Sequence, residues 1–394
     1  MVAAVGDMTG AEQQIRARIR REGSITFDGF MDLALYGEGG FFASGRGAGR
    51  SGRDFVTSPE TGSLYGALVA NAFDREWRAL GAPDPFFVIE CGAGNGRLAA
   101  DVLRARPDCA AALRYVLVER SESLRAEQRT RVELSAPELV AGPHLVGASG
   151  DDAPEPVERT GPLCAQLAEL PSIRVDGVVF ANELLDNLPF GIAEFDGRQW
   201  HEVRVTVDEN DRVTELLVPI AAPALFGAAP TAGTRLPIDR ALTPWLGQAA
   251  NTLRRGVVIV VDYLVPIAEI IERSPKWLHT YAAHERGSDP LAQIGEVDIT
   301  TDIAIEHLEA AAANARLAVV SLDTQRDWLR GLGLASLISA ASDVWNERAS
   351  IGDLEAMVAR SHINEAAALC DPTGLGDFRV ASLTPQGEAS NLRK

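Results

Sequence analysis

The chain has 394 residues, more than one compact domain usually holds, so a core with substantial additions is expected. Hydrophobic residues make up 46%, enough to bury a real core, which excludes a disordered chain. The 37 basic and 55 acidic residues leave a net charge of −18, which disfavours nucleic acid as a partner and suits a cationic one.

Residues 11–22 read as a helix, with Ile15 and Ile19 one turn apart and Gly23 as a stop. A second short helix covers 27–36, capped by Thr26. Seven glycines within 37–53 predict a mobile loop. Helix returns over 61–80. From residue 85 the texture changes. PFFVIEC and LRYVLVE are short continuous apolar runs, the mark of strands buried on both faces. Each is followed by a helical pattern, the second with Ser121 as its cap. Strand and helix alternating in this way predict a parallel sheet. Residues 136–162 read as an irregular insertion. VDGVVFAN at 175–182 and GVVIVVDY at 256–263 are further buried strands. Between them IAEFD, QWHEVRV and RVTELLV alternate and predict an antiparallel hairpin or small sheet. Residues 221–238 read as a Pro/Ala-rich connector. Helical patterns cover 301–315, 323–346 and 352–370, and FRVASLT at 378–384 is a last strand.

Cys91, Cys109, Cys164 and Cys370 form no C-x-x-C pair, so neither a zinc knuckle nor a redox dithiol is indicated. No signal pattern opens the chain, and no apolar run reaches the roughly 18 residues of a membrane span. A cytoplasmic chain without a membrane partner is expected.

The segment Glu90-Cys91-Gly92-Ala93-Gly94-Asn95-Gly96 runs off a buried strand into a helix. A tight turn there needs residues without a Cβ, and a ligand then packs on the backbone beside the helix N-terminus. A dinucleotide site would have G-x-G-x-x-G and a pyrophosphate. Here Gly92, Gly94 and Gly96 are spaced G-x-G-x-G behind an acid, Glu90. S-adenosylmethionine has no pyrophosphate but carries a sulfonium and an ammonium, which a carboxylate suits. Glu119, ending the second strand, is placed to accept both ribose hydroxyls. The alternative is a turn that merely lets helix and sheet pack.

FANELLDNLPF at 180–190 brings Asn182, Glu183, Asp186 and Asn187 to the carboxyl end of the fourth strand, where open parallel sheets bind ligands. Glu183 and Asp186 are three apart, so a helical turn would set them on one side, where two carboxylates could hold a guanidinium. The competing reading has Asn182 capping that helix and the acids favouring its N-terminal dipole. Asp262-Tyr263 ends the fifth strand. His284 follows another candidate strand and is a weaker catalytic candidate. No Ser-His-Asp order or H-E-x-x-H pattern appears, so hydrolase and zinc chemistry drop out and no metal is expected.

Eight blocks in order resemble the MidA-type methyltransferases, which include the mitochondrial complex I assembly arginine methyltransferase and bacterial homologues. They are ITFDGFMDLALYGEGGFF, GRDFVTSPETGSLYG, ECGAGNGRLAADVLR, VERSESLRAEQ, FANELLDNLPF, VVIVVDY, HTYAAHERGSDPLAQIGEVDITTD and TQRDWLRGLGL. Leu264 stands where the family's D-Y-G has its glycine. The resemblance implies an α/β fold, the Rossmann-like class I methyltransferase sheet, mostly parallel with a reversed last strand. To that sheet it adds an N-terminal helical cap, a β-hairpin insertion and C-terminal helical additions. Residues 1–80 would form the cap and glycine lid, and 81–385 the core. Segments 190–238 and 322–376 would lie on the acceptor side, and 386–394 form a tail. S-adenosyl-L-methionine would be the cofactor, held by Glu90, Gly92, Gly94, Gly96, Glu119 and Asn182. The T-S-P-E block adds Thr57 and Ser58 to that set. Glu183, Asp186 and His284 would serve catalysis on the arginine of a cationic protein segment, and a homodimer is left open. Two other readings stand beside this one: a small-molecule methyltransferase on the same fold, and a non-catalytic assembly factor that binds the donor.

Overall fold

A computed structural model describes residues 8–47, 57–142, 160–222, 230–282 and 285–386. The chain divides into two compact units. One comprises Met1–Phe55, Leu185–Trp245 and Tyr263–Ala311, and the other Val56–Leu184, Leu246–Asp262 and Ala312–Lys394.

The second unit is built on a seven-stranded sheet. Its strands are β1 (Phe86–Cys91), β2 (Leu113–Val118), β3 (Leu163–Leu167), β4 (Val175–Asn182), β5 (Leu253–Asp262), β6 (Leu317–Thr324) and β7 (Arg379–Pro385). Their order is β6-β7-β5-β4-β1-β2-β3. β1 to β5 are mutually parallel, and β7 runs antiparallel to both of its neighbours, as expected for a reversed last strand. β1 is buried at every residue and β4 at all but its last, which is why both read as unbroken apolar runs rather than alternating ones. Helices join the parallel strands, Arg97–Ala105 after β1 and Glu122–Arg131 after β2. Ser121 caps the latter by accepting from the Leu124 amide at 3.3 Å. The register aligns the carboxyl ends: Cys91 lies opposite Val118 and Ala181, and Val261 opposite Asn182. Strand order reverses between β4 and β1, the place where open parallel sheets take ligands.

Two strands of this sheet were not expected. β3 and β6 are its edges, short or only partly buried, so neither has the continuous apolar signature of a central strand. The insertion expected at 136–162 contains a short helix, Pro137–Ala141, and residues 143–159 lie outside the described residues. The helical stretch expected over 323–346 is two helices, Gln325–Gly331 and Leu334–Arg348, broken at Leu332-Gly333.

The first unit carries the expected antiparallel sheet, with Gly191–Phe195, Trp200–Val207 and Val213–Ile220 paired in succession. The expectation of a mere connector at 221–238 is corrected by a strand, Thr234–Ile238, paired with Gly191–Phe195. It contains Pro237, which has no amide hydrogen to donate, and it is tolerated because this strand is the last in its sheet. Thr26 caps the helix Phe27–Tyr36, and that helix packs Phe27 and Phe30 into a core with Phe190, Ile192 and Trp277.

The glycine-rich stretch is also corrected in part. Residues 48–53 lie outside the described residues, but 37–47 form a closed turn. The Gly40, Phe41 and Phe42 amides donate to Gly37, Ala34 and Leu35 at 2.8–2.9 Å. Phe41 is fully buried in the first unit's core, and Phe42 stacks on Tyr36 at 5.5 Å. An aromatic anchor outweighs the glycines around it. Phe41→Ala should therefore lower the unfolding free energy by about 3–5 kcal/mol in a denaturant titration. A loss of less than about 0.5 kcal/mol, as for a surface change, would show that the turn is not anchored.

Candidate functional site

The turn after β1 is held by backbone bonds to the next strand. The Gly92 and Ala93 amides donate to the Val118 carbonyl at 2.9 and 3.1 Å. Gly94 sits at φ +51°, a left-handed conformation that β-branched residues rarely adopt. Its amide donates to Glu119 Oε2 at 2.9 Å, and its carbonyl accepts from Gln128 Nε2 at 2.8 Å. Both backbone groups are thus occupied, yet a Cβ built on Gly94 would meet no atom within 4 Å. The turn offers bare backbone to open space, the surface a ligand needs for close approach.

Glu119, expected to hold the ribose, is engaged by the protein's own backbone. Its Oε1 accepts from the Ser121 amide at 2.8 Å, so one buried carboxyl staples the glycine turn to the start of the next helix. Burial pushes this carboxyl up, opposed by the Ser121 and Gly94 amides.

Two further acids lie at the same sheet edge, Glu90 buried and Glu183 partly buried. Glu90 accepts from the Tyr115 hydroxyl at 2.7 Å. Burial pushes it up to about 8, with Tyr115 opposing and Glu119 adding. Glu183 follows β4 directly. Its Oε1 accepts from the Ser58 amide at 3.1 Å and from Asn182 Nδ2 at 3.0 Å. Both donors fall on Oε1, and Oε2 accepts none from the described residues. Burial also pushes Glu183 up to about 8, with the Ser58 amide opposing and Asp262 adding. Asp262, fully buried at the end of β5, accepts from the Leu184 amide at 3.2 Å. Asn182 Oδ1 accepts from the Tyr65 hydroxyl at 2.5 Å, and burial with nearby Glu183 and Glu90 pushes that hydroxyl up.

This geometry corrects the helical turn expected at 183–186. Glu183 has φ +51°, and the short 3-10 turn begins only at Leu185. Asn182 does not cap it, because its side chain is taken by Tyr65 and Glu183. The second unit thus brings together Glu90, Gly92, Gly94, Gly96, Glu119, Asn182 and Glu183 with Thr57 and Ser58, which open a buried turn, Ser58–Thr61. Asp186 belongs to the first unit. It is buried beside Asn187, whose Nδ2 donates to Asp298 Oδ1 at 2.8 Å and to the Ile299 carbonyl at 3.1 Å. There Tyr281 is pushed up by burial, opposed by Arg286 and reinforced by Asp186, Asp298 and Asp302. His284 lies outside the described residues.

Sequence reading missed Tyr65, Gln128 and Glu60, which accepts from Asn95 Nδ2 at 3.4 Å. Glu60 and Tyr65 stand within the T-S-P-E block, the one signal that pointed near them. Nothing local marks Gln128.

The residues fit S-adenosylmethionine. The bare Gly94 backbone admits a ligand, and Glu90 and Glu183, held among the described residues by neutral donors, suit a cation. The sequence pattern of the S-adenosyl-L-methionine-dependent methyltransferase family matches residues 68–322. Among curated relatives, the mitochondrial protein arginine methyltransferase NDUFAF7 homolog of Drosophila melanogaster is 28% identical over 312 residues, 74% of this chain and 67% of that protein. The mitochondrial protein arginine methyltransferase NDUFAF7 of Mus musculus is 26% identical over 358 residues, 84% and 76% of the two chains. A crystal structure from Burkholderia thailandensis bound to S-adenosyl-homocysteine is 25% identical, with a TM-score of 0.77 over 95% of this chain and 92% of that one.

Two outcomes are expected for the donor site. Gly94→Val should abolish S-adenosylmethionine binding, because the branched side chain occupies the open space and strains the turn. Near wild-type affinity by calorimetry would sink the assignment. The second outcome concerns pH. Glu90 and Glu183 are largely protonated below about 8 and ionised above it. A sulfonium favours the ionised forms, so its binding should release protons and tighten as pH rises toward about 8. S-adenosylhomocysteine has the same amino group but no sulfonium. The ratio of its Kd to that of S-adenosylmethionine should therefore rise between about pH 6 and 8. A flat ratio would mean these acids do not sense the sulfonium.

Proposed function

Because this chain belongs to the family of S-adenosyl-L-methionine-dependent methyltransferases, we propose that it methylates an arginine side chain of a protein substrate. The observation that carries this reading is Glu183, a partly buried carboxyl with one oxygen fixed by two donors and the other accepting no hydrogen bond from the described residues. Relatives named as protein arginine methyltransferases support it, and the net charge of −18 suits a cationic segment.

When bound, S-adenosylmethionine supplies a methyl group on a sulfonium, open to in-line displacement by a nitrogen lone pair. Glu183 Oε2 accepts an N–H of the guanidinium, which stays protonated in water with a pKa above about 12. That contact draws the guanidinium charge away from the reacting nitrogen and localises its lone pair. The nearby cation in turn lowers the Glu183 pKa from about 8, keeping the carboxylate ionised when substrate is present. The Ser58 amide and Asn182 hold Oε1, so the carboxylate need not reorient. The proton lost from the methylated nitrogen passes to Glu183 Oε2 and on to water.

Glu183→Gln keeps the size and loses the charge. It should bind S-adenosylmethionine with no more than a modest loss and transfer methyl at least about tenfold more slowly, since one charge-assisted contact in the transition state exceeds about 1.4 kcal/mol. Radiolabelled donor is incubated with cell lysate, and labelled proteins are hydrolysed for amino-acid analysis. Label in methylarginine that falls in the variant supports the reading. Label confined to low-mass compounds, or unchanged turnover, overturns it.

A further inference from the structure

The segment that donates to Glu183 is itself held by two helices from the far end of the chain. Gln325 is fully buried at the start of the helix Gln325–Gly331. Its backbone amide donates to the Phe378 carbonyl at 2.6 Å, and its Nε2 to the Leu369 carbonyl at 3.3 Å. These bonds fix Oε1, which accepts from Ser58 Oγ at 3.0 Å. The start of the helix Ser63–Ala79, just past the turn Ser58–Thr61, is held from the helix Leu354–Leu369. There Glu365 Oε2 accepts from the Leu64 amide at 2.9 Å, and Oε1 from Ser361 Oγ at 2.6 Å. Glu365 lies so close to Gly62 that a Cβ there would fall 2.0 Å from its carboxyl carbon.

Gln325 thus grips the hydroxyl of the same residue whose amide grips Glu183. Neither Gln325 nor Glu365 is within the acids' own cluster, and neither bonds to Glu183. We propose that Gln325 and Glu365 are positioning residues: one holds the Ser58–Thr61 turn at Ser58 and the other holds the start of the helix that follows it, so that the Ser58 amide stays on Glu183 Oε1. This deepens the acceptor reading and rests on it for its consequence in catalysis. The clamp itself is a property of the protein alone.

The test reads Glu183 directly. In ligand-free protein labelled with carbon-13 at glutamate Cδ, the Glu183 resonance is the one missing from Glu183→Gln. It should titrate near 8 in the wild type. Among the described residues the titratable groups facing it are Asp262 from β5 and Tyr65 from the helix Ser63–Ala79, and the test variants alter neither. The Ser58 amide favours the charged form, so loosening it should raise the Glu183 titration by about 1 unit in Gln325→Met. Ser58→Ala keeps the amide but loses the hydroxyl grip, and should shift it the same way by less. Glu365→Ala should act likewise, whereas Glu365→Gln, which keeps an acceptor for the Leu64 amide, should restore the wild-type value. A residue that only stabilises the fold would lower the melting temperature and leave this titration in place. Unchanged Glu183 titration in folded Gln325→Met and Ser58→Ala overturns the proposal. If Gln325→Met does not fold, Ser58→Ala decides alone. Shifted titrations together with normal methyl transfer by Glu183→Gln would uphold the clamp and defeat the arginine reading instead.

Discussion

A carboxylate taken out of water without a cation is costly, and it escapes that cost by keeping its proton. The second unit holds two carboxyls pushed up to about 8 in this way, the buried Glu90 and the partly buried Glu183, at one edge of its sheet. Their donors are a tyrosine hydroxyl, a backbone amide and a side-chain amide, all neutral. Two other buried acids of this unit, Asp176 and Asp101, do have arginine partners. Asp176 lies between Arg254 and Arg255, which hold its carboxyl below the usual range. Asp101 sits between Arg97 and Arg104. Among the described residues no arginine or lysine pairs with Glu90 or Glu183, and a cationic ligand such as the sulfonium of the donor would supply that charge.

The glycine turn complements this arrangement. Glu119 and Gln128 use up the amide and carbonyl of Gly94, so the turn keeps one shape without a ligand present. A backbone fixed in advance loses little further freedom on binding, which is how a preformed site gains affinity. The same bonds give Glu119 a share in holding the turn to the start of the next helix.

The first unit shows how a departure from the family pattern is absorbed. Leu264, where the family has glycine, is 2% exposed and forms a short parallel pair, Leu264–Val265 with Ile303–Ala304. Asn187 bonds across to Asp298 in the same unit, which ties the stretch after Glu183 to the D-I-T block. Two blocks about a hundred residues apart in sequence are thereby one structural feature.

The sequence by itself determined the central strands, the glycine turn with its leading acid, and the helix caps Thr26 and Ser121. Each rests on neighbours in the chain: an unbroken apolar run, a spacing of glycines, a hydroxyl three residues before an amide. The edge strands β3 and β6 escaped because an edge lacks the burial that writes such a run. Only the tertiary structure decided the surroundings of Glu183. Ser58 is 125 residues from it in sequence, Gln325 is 267 from Ser58, and Tyr65 is 117 from Asn182. A helical spacing from Glu183 to Asp186 was the best local guess, and the left-handed backbone at Glu183 broke it. Local periodicity records which face of an element is buried. It does not record which distant amide or hydroxyl will meet a buried carboxyl there, because that partner is chosen by packing between segments far apart in sequence.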